Sequence, residues 1–217
     1  MRLATATLMS RAPIPTIPGT PYGGGYYVGR MIGGDGVKYA VILAPKSGGE
    51  WPYTLNYRTS AVSTPAAASA WDGAANTAAL IALGAGVSAI ADFVLQVNNN
   101  GGINGYTDWF IPARYQLEMC YRNLKPFTSA NSTDSPGATN NTYADPNTPA
   151  YTATVPAQTT VAAFQGGGAE AFFNDNYWTS TEYPTANAWC QDMNSGRMPN
   201  NSKTLGFRCR LIRLIKI

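Results

Sequence analysis

The side chains of Thr179, Ser180 and Thr181 come closest, in type and spacing, to nucleophilic chemistry. A serine nucleophile needs an adjacent general base and donors that stabilise an oxyanion. The chain has no histidine, the commonest general base, and it lacks the Gly-x-Ser-x-Gly turn of the α/β-hydrolases. No paired carboxylates stand out as the motif that glycoside hydrolysis uses. We therefore predict that the protein is not an enzyme, and we assign no catalytic residue.

Metal binding is also disfavoured. The chain has three cysteines, Cys120, Cys190 and Cys209, and no Cys-x-x-Cys motif, so a structural zinc site is not expected. Calcium needs several convergent oxygens, but the 12 acidic residues are scattered. We predict no metal and no cofactor. Cys190 and Cys209 are expected on neighbouring strands, either as a disulfide or as two buried thiols.

A polar strip with aromatic residues runs through the last third of the chain. We expect it to be exposed, and it is the best candidate for ligand binding. Rings can stack on apolar patches of a ligand, and amides can hydrogen-bond to it. The alternative is an ordinary solvated loop. The ligand-binding candidates are Tyr183, Asn187, Trp189, Gln191, Arg197, Asn200, Asn201 and Lys203.

The composition agrees with a binding protein built from strands and loops. Charged residues make up only 12% of the 217 residues, roughly half the usual share, whereas there are 13 tyrosines and 5 tryptophans. A Tyr-rich core would explain the same numbers. The net charge of +3 comes without a basic stripe, so nucleic-acid binding is not expected.

Three helices are predicted between the strands. They span Asp72–Leu83, Ser88–Val97 and Ala113–Leu124, where apolar residues recur at helical spacing and Asp72 can cap the first amides. The apolar stretch Ala78–Val97 is long enough to span a membrane. It contains Asp92 and glycines and has no basic flank, so it is interpreted as buried helices.

The remaining elements are strands, an arm and a loop. Residues 26–32 and 37–44 predict a hairpin around a glycine-rich turn, and a meander follows at 176–181, 188–193 and 206–215. Along 176–181, strand geometry places Thr179 and Thr181 on one face and Ser180 on the other, and this hydroxyl run is expected to satisfy buried backbone groups. Residues 1–25 are Pro-rich and predict an extended arm, with 26–217 as the domain that follows.

Residues 128–160 are predicted to form a long inserted loop, either a surface excursion with a hairpin near 143–155 or partly mobile.

Four segments occur in a recognisable order: GYTDWFIPARYQL, YWTSTEY, AWCQDMNSG and GFRCRLIR. Together they resemble the C-type-lectin-like domain of bacterial and phage surface proteins (the DUF1566 or Lcl C-terminal group), over about residues 87–213. The resemblance implies an α+β fold in which two or three helices pack on twisted antiparallel sheets. It also implies structural roles for a set of signature residues. These are Trp109, Pro112, Leu117, Trp178, Cys190 and Cys209.

On this resemblance we expect a bacteriophage tail-tip or tail-fibre protein that binds a host cell-surface receptor, either a glycan or a protein. The arm would contact other virion tail proteins, and the protein would be a homotrimer that gains from avidity. It would be part of the virion, assembled in the host cytoplasm, without membrane insertion. The alternative is a structural virion component, such as a fibre-to-baseplate adaptor or a decoration protein.

Overall fold

The structure is a computed structural model that describes residues 13–217. Its strands are, in chain order, β1 (Pro21–Tyr22), β2 (Gly25–Ile32), β3 (Lys38–Leu43), β4 (Leu55–Asn56), β5 (Ala144–Asp145), β6 (Asn176–Tyr183), β7 (Asn187–Asp192), β8 (Asn200–Ser202), β9 (Gly206–Phe207) and β10 (Ile212–Lys216). Its helices are α1 (Lys46–Gly49, a kinked single turn), α2 (Gly73–Ile81), α3 (Ala89–Asn99) and α4 (Arg114–Leu124). Short 3₁₀ turns lie at Pro65–Ala67, Pro136–Ala138 and Ala162–Phe164. The protein is therefore α+β, as predicted.

The strands form antiparallel sheets. The largest has the order β1–β2–β3–β10, with β5 also paired to β2, and the other two are β4–β9 and β6–β7–β8. The predicted hairpin is present as β2 and β3. At its turn the Gly33 N–H donates to the Val37 carbonyl at 2.9 Å, and Gly36 has a φ of 75°, which glycine adopts without strain.

The C-terminal strand differs from the sequence prediction. Residues 206–215 do not form one strand of a meander: β9 pairs with β4, and β10 pairs with β3 in the largest sheet. Cys190 and Cys209 are also not on neighbouring strands, because β6 lies between them, with Trp178 opposite Cys190 and Tyr177 bridged to Arg208. Both cysteines are free and buried. Buried thiols were one of the two predicted alternatives.

Helices α2, α3 and α4 begin close to the predicted positions because side chains satisfy their first amides. Asp72 and Ser88 each accept a hydrogen bond from the backbone amide three residues on, at 2.9 and 3.4 Å. Ala113 has no side-chain acceptor, and Gln116 compensates: its Oε1 accepts from the Ala113 amide at 2.8 Å. The same oxygen accepts from the Gly73 amide at 3.2 Å. Gln116 therefore joins the start of α4 to the start of α2.

The hydroxyl run satisfies backbone groups, as predicted. Thr179 Oγ1 donates to the Trp189 carbonyl at 2.9 Å, and Thr181 Oγ1 donates to the Ser69 carbonyl at 2.8 Å. The pairing of β6 with β7 shifts register over this stretch. The bulge frees β6 to bond to the loop before α2, so the run connects two parts of the fold.

Segment 128–160 is packed against α4 through a buried polar network. The carboxylate of Glu118 is 1% exposed and accepts from Asn141 Nδ2 at 2.6 Å, from the Tyr151 hydroxyl at 2.9 Å and from Arg122 Nε at 2.7 Å. Burial raises the pKa of Glu118 above its ordinary value, and these donors offset only part of that rise. A buried carboxylate is tolerated only with such partners, so the network holds the segment in place.

The predicted hairpin near 143–155 is not formed. Ala144 and Asp145 instead pair with Met31 and Arg30 of β2. The segment therefore extends the largest sheet.

Replacing Tyr151 with phenylalanine should lower the free energy of unfolding by about 1–3 kcal/mol, because Glu118 loses one donor inside the protein. The loss should be largest near neutral pH. Removing a donor to the carboxylate raises the pKa of Glu118 further, so the penalty falls as the pH drops and Glu118 becomes protonated. Urea unfolding near pH 7 and pH 5 measures both effects. Tyr53→Phe, at a ring that is 73% exposed, is the control, and equal losses for the two variants would contradict the network.

The predicted arm covers residues 1–25, of which residues 1–12 lie outside the described part of the chain. The Gly19 amide donates to the Tyr27 carbonyl at 2.7 Å, and the Tyr27 amide donates to the Thr20 carbonyl at 2.8 Å. Together with β1, these bonds attach residues 19–22 to the edge of β2.

Candidate functional site

A row of aromatic rings on the surface is the strongest candidate for a binding site. The Trp71 and Tyr143 rings stack at 6.2 Å, Tyr143 and Tyr115 lie 5.3 Å apart, and Tyr183 meets Trp189 edge-on at 5.1 Å. The Arg114 guanidinium links the two groups, 5.0 Å from the Tyr115 ring and 4.6 Å from the Trp189 ring. Tyr183 is 39% exposed, and the others are half-buried. We call these five rings and Arg114 the aromatic band.

The hairpin β6–β7 positions one end of the band. Tyr183 pairs with Asn187 across the hairpin, and side chains two residues apart on a strand share a face. Trp189 is therefore on the same face as Asn187, diagonal to Tyr183. Asn200 of β8 is paired with Trp189, and Asn187 Nδ2 donates to Asn200 Oδ1 at 2.9 Å. The sheet thus presents two rings and two amides together.

Backbone contacts place the start of α4 beside this hairpin. The Ser180 amide donates to the Pro112 carbonyl at 2.8 Å, and the Arg114 amide donates to Thr181 Oγ1 at 3.0 Å. The Tyr115 amide donates to the Ala70 carbonyl at 2.9 Å. These bonds fix the first turn of α4 on β6, so Arg114 reaches Trp189.

The other end of the band, with Tyr143 and Trp71, is held by segment 128–160 and by the β2–β3 hairpin. Asn141 Nδ2 donates to the Tyr115 carbonyl at 3.0 Å, and Asn141 Oδ1 accepts from the Tyr143 amide at 3.1 Å. Trp71 lies against the β2–β3 turn so closely that a Cβ on Gly34 would be 2.6 Å from its Nε1. The turn must carry glycine here for the indole to pack.

Arg114 is an unpaired cation among the described residues. No carboxylate of residues 13–217 lies within 4.0 Å of it. Its Nε is buried without a hydrogen-bond partner, and its Nη2 has only a 3.5 Å contact with the Tyr115 hydroxyl. The guanidinium is held by rings, and its Nη1 makes no hydrogen bond to the described residues.

A cavity of about 290 Å³ adjoins Trp189 and is lined by polar side chains, two prolines and Met198. The exposed Arg197 and Asp134 both line its wall. The hydrogen bond from Ser132 and, to a smaller extent, the charge of Arg197 lower the pKa of Asp134. Pro199 and Asn200 complete this side. The cavity therefore extends the aromatic band with both polar and apolar surface.

The structure brings together five of the eight sequence-predicted binding residues: Tyr183, Asn187, Trp189, Asn200 and, in the cavity wall, Arg197. Asn201 is on the opposite face of β8, where its Nδ2 contacts Cys190 Sγ at 3.1 Å.

Gln191 and Lys203 were expected to be exposed, and this was wrong. Both are 0% exposed. Gln191 Nε2 donates to the Gly196 carbonyl at 3.4 Å. Segment 128–160 packs on the turn that contains Gly196, because the Ser132 amide donates to the Ser195 carbonyl. Lys203 Nζ is 3.2 Å from Glu182 Oε1, in a buried ion pair.

The six signature residues are all buried. In the same segment as Trp109 and Pro112, Asp108 forms a bidentate ion pair with Arg213, with N–O distances of 2.7 and 2.8 Å. This pair ties the strand-to-helix corner to β10.

Sequence reasoning missed Trp71, Arg114, Tyr115 and Tyr143 as parts of the candidate site. Arg114 and Tyr115 were treated as structural because they lie inside a signature segment. A useful signal was available, because Tyr115 lies off the apolar face of α4 that Leu117 and Tyr121 define. Nothing in the sequence marked Trp71 or Tyr143, since their pairing depends on distant segments.

The described residues show no arrangement suited to metal or thiol chemistry. Within residues 13–217, no group of three or more His, Cys, Asp or Glu side chains could hold a metal ion. Burial raises the pKa of both Cys120 and Cys190 to about 12, so these thiols stay protonated and weakly reactive. Ser180 is fully buried, and its hydroxyl accepts from Asn76 Nδ2 at 3.2 Å.

None of the helices in residues 13–217 has both the length and the apolar character needed to cross a membrane. In the comparisons with known proteins, no family model matches the chain and no curated protein matches its sequence. The resemblance to lectin-like domains therefore stays a prediction from the signature segments.

Proposed function

We propose that the protein is a receptor-binding component of a bacteriophage tail and that it recognises a host cell-surface glycan through the aromatic band. The observation that carries the proposal is the row of partly exposed rings around Arg114. Rings stack on the apolar faces of sugars, and the amides of Asn187 and Asn200 can hydrogen-bond to sugar hydroxyls. The lectin-like signature segments support the assignment to a tail protein.

The rigidity of the band supports recognition of an extended ligand. Tyr183 and Trp189 lie on strands, Tyr115 lies at a helix start, and Trp71 packs against a glycine turn. Tyr143 lies in the turn before β5, where its amide donates to Asn141 Oδ1. A rigid surface loses little conformational entropy on binding. Three copies in a trimeric tail protein would add avidity to weak individual sites.

Binding of the purified protein to surface polysaccharides tests the proposal directly. We expect saturable binding to an array of bacterial polysaccharides and to cells of the matching strain. Periodate oxidation of the cells, which destroys sugar diols, should remove binding, and protease treatment should not. The added protein should also block phage adsorption.

The opposite result would point to the structural alternative. If the protein binds neither cells nor any polysaccharide, and virions lacking it fail to assemble, then it is an adaptor or decoration protein. Loss of binding after protease treatment, with no effect of periodate, would replace the glycan by a protein receptor.

A further inference from the structure

We infer that the glycan bound by the aromatic band is anionic and that Arg114 binds its carboxylate or phosphate group between Tyr115 and Trp189. This inference rests on the proposed function and adds the ligand's charge class to it. Arginine recognises both anions, because its planar fork of donors can bind two oxygens at once.

The first step is the contrast between Arg114 and the other partly buried arginines. Each of these has a carboxylate or carbonyl acceptor within the protein. They are Arg58, Arg122, Arg208, Arg210 and Arg213. Arg114 has neither kind of acceptor among the described residues. A guanidinium that is half-buried, held by rings and left without a carboxylate or carbonyl acceptor retains its capacity to bind an anion.

The second step excludes the helix terminus as the anion site. The Ala113 amide donates to Gln116 Oε1, the Arg114 amide to Thr181 Oγ1 and the Tyr115 amide to the Ala70 carbonyl. No free amide remains at these positions for a ligand. The positive end of the helix still favours negative charge nearby, but the hydrogen bonds must come from the guanidinium.

The third step concerns access and competing charge. Arg114 Nη1 makes no hydrogen bond to residues 13–217 and, unlike Nε, is not buried. The nearby acid Glu182 is buried and paired with Lys203, and Asp134 lies in the cavity wall together with Arg197. Neither acid neutralises Arg114, so the anionic group belongs at Arg114 and neutral parts of the glycan belong in the cavity.

Paired polysaccharides test the inference. A uronate-containing polysaccharide is compared with its carboxyl-reduced form, and a phosphate-containing polymer with its dephosphorylated form. The wild-type protein should bind the anionic member of one pair about 10-fold more tightly, and the pair that shows the preference identifies the anion. That preference should shrink as salt is raised.

The variant Arg114→Gln should lose the preference for the anionic member and retain binding to the neutral one. Arg114→Lys keeps the charge without the planar fork of donors, so its preference for the anionic member should lie between those of the wild type and Arg114→Gln. Arg30→Gln, at a half-exposed arginine on β2, should bind like the wild type. Melting temperatures confirm that each variant is folded.

Two results would overturn the inference. One is equal binding of both members of each pair by the wild type, which would leave the proposed glycan function intact. The other is an undiminished preference in Arg114→Gln, which would place the anion elsewhere. Failure to bind any polysaccharide or cell would instead remove the proposed function itself.

Discussion

Replacing Trp189 with alanine is expected to weaken binding to the target polysaccharide at least about 30-fold. Trp189 is central to the candidate site as a whole, because it contacts Tyr183 and Arg114 in the band and also lines the adjoining cavity. Truncation of a central aromatic residue commonly costs about 2 kcal/mol or more, which corresponds to roughly 30-fold in Kd. The loss includes the ring itself and the platform that holds the Arg114 guanidinium.

Trp189→Phe keeps a ring at this position and should retain part of the affinity. Tyr53→Ala removes an aromatic residue that is 73% exposed and makes no ring contact with the band, so its binding should be unchanged. Titration calorimetry gives the affinities, and circular dichroism establishes that Trp189→Ala is folded. A folded Trp189→Ala protein that binds like the wild type would remove the aromatic band as the binding site.

Lys203→Ala is expected to lower the free energy of unfolding by about 3–5 kcal/mol, because it leaves a buried carboxylate without its cation. Lys203 Nζ donates to the carbonyls of Val62 and Thr185 at 2.8 Å each and lies 3.2 Å from Glu182 Oε1. Glu182 also accepts from Ser63 Oγ at 2.6 Å. The pair thus joins the end of the β6–β7 hairpin to residues 62–63, far away in the sequence.

For a chain of this size the melting temperature should fall by about 6–20 °C. Lys38→Ala is the matched control, because Lys38 pairs with Asp145 at the surface with 55% of its side chain exposed, and exposed pairs contribute about 0–1 kcal/mol. The double variant Lys203→Met, Glu182→Gln should recover much of the loss, since it leaves no unpaired charge. A change of less than about 2 °C in Lys203→Ala would contradict a buried pair and favour the sequence-based assignment of Lys203 to the ligand.

Local features of the fold were predictable because they depend on nearby residues. Apolar spacing and the capping side chains of Asp72 and Ser88 placed α2 and α3, and the glycine-rich turn placed the β2–β3 hairpin. That Ala113 has no capping side chain is visible in the sequence, but the compensating contact of Gln116 is not. Gln116 reaches the Ala113 amide only because the helix forms, and Gly73 joins it only because α2 packs there.

Exposure was the property that the sequence predicted least well. Asn187, Trp189 and Gln191 alternate on one strand, and alternation assigns them to one face. Gln191 is buried because segment 128–160, which looked like a free loop, packs over the turn beside it. A low-complexity composition hides this packing, since its key contacts come from single polar residues such as Asn141.

The sequence by itself determined the combination of helices with strands and the positions of the main helices, because backbone preference and short-range hydrogen bonding act over a few residues. Only the tertiary structure decided that Arg114, Tyr115, Tyr143 and Trp71 share one surface with Trp189, and that Lys203 is sealed inside. The shared surface of the rings and the burial of Lys203 both result from packing between segments that are distant in sequence. Whether a polar side chain is buried there depends on all the residues that surround it in the folded protein.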